Sequence, residues 1–155
     1  MHGRRARPLT GRRRRSWPWR LASQGASASA ARRYPGNYDR AVPECLFCRI
    51  AAGDIPATKI LDSERTIAFR DVNPQAPVHV LVVPREHYPN VAALAAAGGG
   101  LLDEVISQAH KVAEAEGIDD SGYRVVFNTG HHGGQTVAHV HAHVLGGRPM
   151  TWPPG

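Results

Sequence analysis

Between residue 44 and the C-terminus the spacing of apolar and polar residues changes several times, and each change marks an element. Leu46, Phe47 and Ile50 fall at helical spacing between Glu44 and Gly53, which predicts a short helix stopped by that glycine. Lys59–Asp62 and Thr66–Arg70 read as two short strands around a Ser63-Glu64 turn. Residues 78–83 form an apolar run bounded by Pro77 and Pro84, the pattern of a strand buried on both faces. Residues 71–77 between them carry too many prolines for regular structure and read as a loop. Leu101, Leu102, Val105, Ile106, Ala109, Val112 and Ala113 recur at helical spacing until Gly117, predicting one long amphipathic helix with His110 on or near its surface. Residues 123–128 predict a fourth strand and residues 139–145 a fifth. Short β elements with one long intervening helix imply an α+β domain built on a largely antiparallel sheet.

The fifth strand carries the most distinctive chemistry. In an extended strand alternate side chains share a face, so His139, His141 and His143 are expected on one face and Val140, Ala142 and Val144 on the other. Three imidazoles in a row admit three readings: a solvated polar face, a zinc site for hydrolysis, or nucleophilic catalysis by one imidazole with its neighbours holding tautomer and charge. Solvent faces favour Lys, Glu and Thr, which argues against the first. A flat strand spreads three alternate side chains over roughly 13 Å at ~3.3 Å per residue, which suits contacts along a phosphate better than one metal ion. The Gly133-Gly134 pair upstream lets backbone N–H groups approach such a phosphate without an intervening Cβ.

The run His139-Val140-His141-Ala142-His143-Val144-Leu145 resembles the signature of the histidine triad (HIT) superfamily. The lead-in Gly133-Gly134-Gln135-Thr136-Val137, the Gly146-Gly147-Arg148 that follows and the closing Trp152-Pro153-Pro154-Gly155 resemble its Hint branch, the purine nucleoside phosphoramidases. The resemblance runs from about Cys45 to Gly155. It implies a HIT-like five-stranded, mainly antiparallel sheet with one long and one short helix, continued across a homodimer. It implies an enzyme that needs no cofactor for catalysis and cleaves the P–N bond of AMP- or GMP-linked amines. His141 would attack the α-phosphorus to form a covalent nucleotidyl-histidine, which water then hydrolyses. His139 and His143 would donate to non-bridging oxygens, and Asn128 would contact the phosphate region. Gly134 and Gln135 would also border the nucleotide. Thr136 stands where the family usually has serine, a donor to the leaving amine; threonine keeps the hydroxyl and adds a methyl and a stiffer χ1. Asp71 would accept both ribose hydroxyls. Leu46, Phe47, Ile50, Phe69 and Val72 would surround the purine, although on residue type alone each is more often core. Trp152 would reach toward the partner's site. His131 and His132, a departure from many relatives, read either as leaving-group contacts or as solvated loop residues. A third triad histidine places the chain with the hydrolases, whereas transferase relatives carry glutamine there. Dinucleoside polyphosphate hydrolysis is the runner-up activity, and a nucleotide-binding scaffold or sensor is the rival of another class.

Cys45-x-x-Cys48 has alternatives of its own. A thioredoxin-like redox pair would need a βαβ context that is not visible, and a disulfide is disfavoured in a reducing cytosol. In Cys-bearing HIT proteins the resemblance implies a structural zinc, about one per subunit, held by Cys45, Cys48, His87 and His139.

Composition changes the picture mainly at the N-terminus. With 155 residues, 42% of them apolar, the chain suits one domain with a modest core. Residues 1–42 contain eleven arginines and one acid, leaving eight Lys and Arg against twelve acids in residues 43–155. The basic pI therefore describes the N-terminal segment and not the HIT domain expected over residues 43–155. Residues 1–42 have no apolar period able to nucleate a fold and are expected to be disordered. They read as an organellar transit peptide, an electrostatic arm for nucleic acid, or an upstream extension encoded by a GC-rich gene, the last being favoured over the others. No apolar run of ~18 residues or secretory signal is present, so no membrane partner is expected and a cytoplasmic location is the default, organellar if the extension is a transit peptide.

Overall fold

In a computed structural model of the chain, residues 44–154 are described. The Arg-rich extension expected over residues 1–42, and the domain boundary expected after it, lie outside the described residues. Helix α1 spans Leu46–Ala52 and ends at Gly53, whose φ of 91° is left-handed and whose N–H caps the Arg49 and Ile50 carbonyls. Strands β1 (Lys59–Asp62) and β2 (Thr66–Arg70) form the expected hairpin, and β3 (Val78–Pro84) follows the proline-rich loop. Helix α2 (Val91–Ala97), helix α3 (Leu101–Ala115), strand β4 (Tyr123–Phe127) and strand β5 (Ala142–Gly146) complete the domain.

The five strands make one antiparallel sheet in the order β1-β2-β3-β5-β4. Alternation along the strands gives each face its own core. Ala68, Val80, Val82, Ala142 and Val144 join Leu94, Leu101, Val105, Ala109 and Val112 of α2 and α3 in one buried cluster. Ile67, Phe69, Leu81 and Val83 pack with Phe47, Ile50 and Ala51 of α1 in another. The central strand β3 is buried on both faces, as its continuous apolar run requires. Among the described residues no helix is long and apolar enough to cross a membrane.

Two differences from the sequence pattern bear on the site. Helix α2 was not expected, because Val91–Ala97 is mostly alanine and shows no clear apolar period. Its start is nevertheless written locally, since the Asn90 side chain accepts the Ala93 N–H at 3.0 Å in an N-cap. The fifth strand begins at Ala142, not at His139. Gln135 shapes the chain before it, donating to the Pro89 and Val137 carbonyls at 2.6 and 2.9 Å and accepting the Gly130 N–H at 3.0 Å. The Val140 N–H then bonds the Tyr88 carbonyl at 2.7 Å, so residues 135–140 run as a braced loop.

Candidate active site and cysteine-histidine cluster

Although His139 and His141 precede β5, the three imidazoles lie on the α1 side of the sheet: His139 and His141 both meet Phe47 edge-on at ring-centroid distances of 6.0 and 5.0 Å, His141 and His143 are 4.9 Å apart, and Val140, Ala142 and Val144 share the opposite core. His139 is fully buried and its ring turns toward the cysteines: Nε2 donates to the Pro84 carbonyl at 2.9 Å, and Nδ1 lies 3.5 Å from the Sγ of both Cys45 and Cys48. Both ring nitrogens are thereby occupied, so the expected donation from His139 to a non-bridging oxygen has no N–H to supply it.

His141 is held differently. Its Nδ1 is 2.7 Å from the His139 carbonyl, and a carbonyl only accepts, so the proton sits on Nδ1 and Nε2 keeps its lone pair. The side chain lines a cavity of about 680 Å³ and is packed edge-on against Phe47, with ring centroids 5.0 Å apart.

His143 follows on β5, opposite Leu81 of β3 and Val126 of β4. Its orientation depends on His79, whose local pattern is only that of an apolar strand. The Gln75 N–H donates to His79 Nδ1 at 3.1 Å, so His79 carries its proton on Nε2. That Nε2 stands 2.8 Å from His143 Nδ1 and 3.4 Å from Asp71 Oδ2. His143 therefore accepts on Nδ1 and presents an Nε2–H, with the Asn128 amide 3.5 Å away. A signal for His79 was present: a histidine inside Val78-His79-Val80-Leu81-Val82-Val83 must be buried, and a buried imidazole needs partners.

Burial favours the neutral form of all these rings. Desolvation, assisted by His141 and His79, depresses the pKa of His143 to about 4, against the pull of Asp71. Desolvation also depresses His141, opposed by its bond to the His139 carbonyl and by the Asp71 charge, and depresses His79 against the Asp71 charge. At neutral pH the site presents one unprotonated ring nitrogen, His141 Nε2, beside one N–H donor, His143 Nε2.

The cavity wall also includes Asp71, Val72, Leu46, Phe47, Ile50, Phe69 and Thr136. Phe47, Ile50 and Phe69 are buried, whereas Leu46 is partly exposed and Val72 fully exposed at the rim. Asp71 Oδ1 accepts the Asn73 N–H at 2.8 Å. Four expected nucleotide contacts do not line the cavity: Asn128 stands beside His143, Gln135 braces the loop, Gly134 supplies the left-handed φ of 74° that ends the His131–Gly133 turn, and Trp152 is 84% exposed. His131 and His132 are exposed. A cavity of about 650 Å³ at Gly117, Ile118, Tyr123, Arg148 and Met150 offers little chemistry, since the Arg148 guanidinium is already donated to the Pro149 and Gln75 carbonyls.

Cys45, Cys48, His87 and His139 bring their ligand atoms within 4.8 Å of one another. Cys48 Sγ to His87 Nδ1 is 3.4 Å, and both sulfurs are 3.5 Å from His139 Nδ1. A tetrahedral zinc with bonds of about 2.0–2.3 Å needs ligand separations of roughly 3.3–3.8 Å, so the donor set fits. The Pro84 carbonyl fixes the His139 tautomer with its Nδ1 lone pair toward the sulfurs, as a ligand requires. Asp71, His79 and His143 also converge, but His79 Nε2 carries a proton and Nδ1 is taken by Gln75, which disqualifies that group as a metal site.

An imidazole with an unprotonated nitrogen and a second with an N–H donor, both lining a largely apolar cavity on a five-stranded antiparallel sheet, define the class. The HIT domain model matches residues 52–150, and the chain belongs to the HIT family. It is 43% identical over 107 residues to the purine nucleoside phosphoramidase of Escherichia coli (strain K12), covering 69% of this chain and 90% of that protein. An uncharacterized HIT-like protein of Synechocystis is 44% identical over 112 residues, 72% of this chain and 97% of that one. The crystal structure of a HIT family hydrolase from Legionella pneumophila Philadelphia 1 superposes with a TM-score of 0.69 at 49% identity, covering 72% of this chain and 99% of that one. A histidine triad protein from Clostridium difficile gives 0.68 at 39% identity, covering 70% and 95%.

Proposed function

We propose that this protein hydrolyses the P–N bond of purine nucleoside 5′-phosphoramidates through a nucleotidyl-His141 intermediate. The observation that carries the reading is the His141 tautomer: Nδ1–H on the His139 carbonyl leaves the Nε2 lone pair free for attack. In the first step a bond forms from Nε2 to phosphorus and the P–N bond breaks. The amine departs with the bonding electron pair and takes up a proton that the Thr136 hydroxyl on the cavity wall relays from solvent. The His143 Nε2–H strengthens its bond to a non-bridging oxygen as charge develops there, the electrostatic work on which phosphoryl transfer depends. In the second step water attacks phosphorus, the Nε2–P bond breaks with its electron pair returning to a neutral His141, and the proton shed by the water passes to solvent as the monophosphate leaves. Phe47, Ile50 and Phe69 receive the purine, and the Asp71 carboxylate receives the ribose hydroxyls.

Two further assignments belong to this reading. The Cys45, Cys48, His87 and His139 set holds a structural zinc, which when bound ties α1 to the loop before β5. A second copy of the chain extends the sheet at the outer edge of β4, where every residue from Tyr123 to Phe127 is half-buried. The test is hydrolysis of a fluorogenic adenosine phosphoramidate. Turnover lost in His141→Ala with monophosphate binding retained supports the reading. Faster cleavage of a dinucleoside polyphosphate would move it to that substrate class, and tight binding without turnover would move it to a nucleotide sensor.

A further inference from the structure

We infer that the cysteine-histidine cluster is a thiol-dependent control on the nucleophile; this regulation rests on the phosphoramidase reading of the same site. One residue belongs to both centres. The His139 ring faces the sulfurs of Cys45 and Cys48, and the His139 carbonyl accepts the Nδ1–H of His141 at 2.7 Å. His139 is fully buried, so no water replaces a partner its ring loses. A change at the sulfurs must move the ring or strand its Nδ1 lone pair, and the carbonyl on the same Cα moves with it. His139 is thus a positioning residue, and what it positions is the tautomer of His141.

The sulfurs are placed to change state. Both cysteines are reduced, Cys45 is half-buried at the start of α1, and Cys48 is buried one turn on. That spacing puts their Cα atoms about 5–6 Å apart, within disulfide range. With glutathione disulfide as oxidant, the Cys45 thiolate attacks one of its sulfurs and expels a glutathione thiolate. Cys48 then attacks the Cys45 sulfur of the mixed disulfide and expels the second. Two electrons pass from the protein sulfurs to the oxidant, and one glutathione disulfide becomes two thiols. The new bond draws the sulfurs to about 2.0 Å of each other and removes two anionic ligands. The cluster no longer holds an ion, His139 loses its anchor, and the bond that orients His141 loosens.

The experiment titrates the full, reduced, zinc-loaded protein with glutathione disulfide. Formation of the Cys45–Cys48 disulfide, read as a mass lower by two hydrogens, should accompany release of one zinc per chain. It should lower kcat about 10- to 100-fold, the usual effect of losing a group that orients an active residue, with binding of the nucleoside monophosphate little changed. The nitrogen-15 spectrum of His141 should lose its single Nδ1–H tautomer, and dithiothreitol with zinc should restore every signal. Failure of the disulfide to form under excess oxidant would overturn the inference. So would full turnover with the disulfide in place, an unchanged His141 tautomer, or a loss that reductant and zinc do not reverse. If the reduced protein has no phosphoramidase activity, the functional reading fails on its own, and the tautomer signal with and without the disulfide still decides the coupling.

Discussion

His79 and His143 share one proton along a 2.8 Å line, and its direction is set by a third group, the Gln75 N–H that occupies the far nitrogen of His79. The backbone of the proline-rich loop thereby fixes which nitrogen of His143 carries the proton. Without the His79 ring, His143 is free to place its proton on Nδ1 and turn an acceptor toward the substrate. His79→Ala is expected to lower kcat about 10- to 100-fold while KM changes little, because the ring orients a donor and does not touch the nucleotide. Steady-state kinetics on an adenosine phosphoramidate checks this, and wild-type kcat in the variant would contradict it.

The rings also set the pH response. A buried imidazole prefers to be neutral, so His141 takes up its proton only below the ordinary value of 6.5. The plot of kcat/KM against pH is expected to stay level through neutrality and to fall on an acid limb centred below 6.5. An acid limb at 6.5 or above would count against a desolvated nucleophile.

Stability follows the same sign. The folded pKa of His143 is about 4, whereas an unfolded histidine binds its proton near 6.5, so below that pH the unfolded chain holds a proton the folded chain refuses. His143 favours unfolding progressively as pH falls from 6.5 to about 4, and makes no such contribution above it. Urea midpoints measured across this window should decline on the acid side.

Metal analysis of the purified protein should give about one zinc per chain, lost in Cys48→Ser. Because Cys48 is buried between α1 and the His139 loop, that loss should lower Tm by about 5 °C or more. A metal-free wild type that melts at the same temperature as the zinc-loaded protein would refute a structural role.

Gly146 at the end of β5 is fixed by packing. A Cβ there would overlap Ile118 Cδ1 and meet Ile118 Cβ and Cγ1 at 3.3 Å. Gly146→Ala should destabilise by about 1–3 kcal/mol, read as a lower urea midpoint at unchanged m-value.

Much of this architecture is legible in the sequence because it is local. Proline at positions 77 and 84 brackets β3, Gly53 stops α1, and the Leu101-to-Ala113 period writes α3 directly. The His-x-His-x-His run likewise announces its chemistry. What period-two reasoning misses is the path into β5. The Gln135 bonds to the Pro89 carbonyl and the Gly130 N–H brace an approach that stays irregular as far as His141, even though the three histidines keep the side of the sheet that alternation assigns to them. His79 was concealed for the opposite reason, since its local pattern is that of a core strand and its role appears only when β5 lies beside β3. Helix α2 shows a third limit, because an alanine run carries no apolar stripe even when its asparagine cap is plain.

The stereochemical course at phosphorus tests the central claim most directly, using a phosphorothioamidate substrate of defined configuration and isotopically labelled water. Attack by His141 Nε2 followed by attack by water makes two in-line displacements, so the account predicts overall retention. Overall inversion would mean that water attacks the substrate directly, and His141 would then have no covalent role.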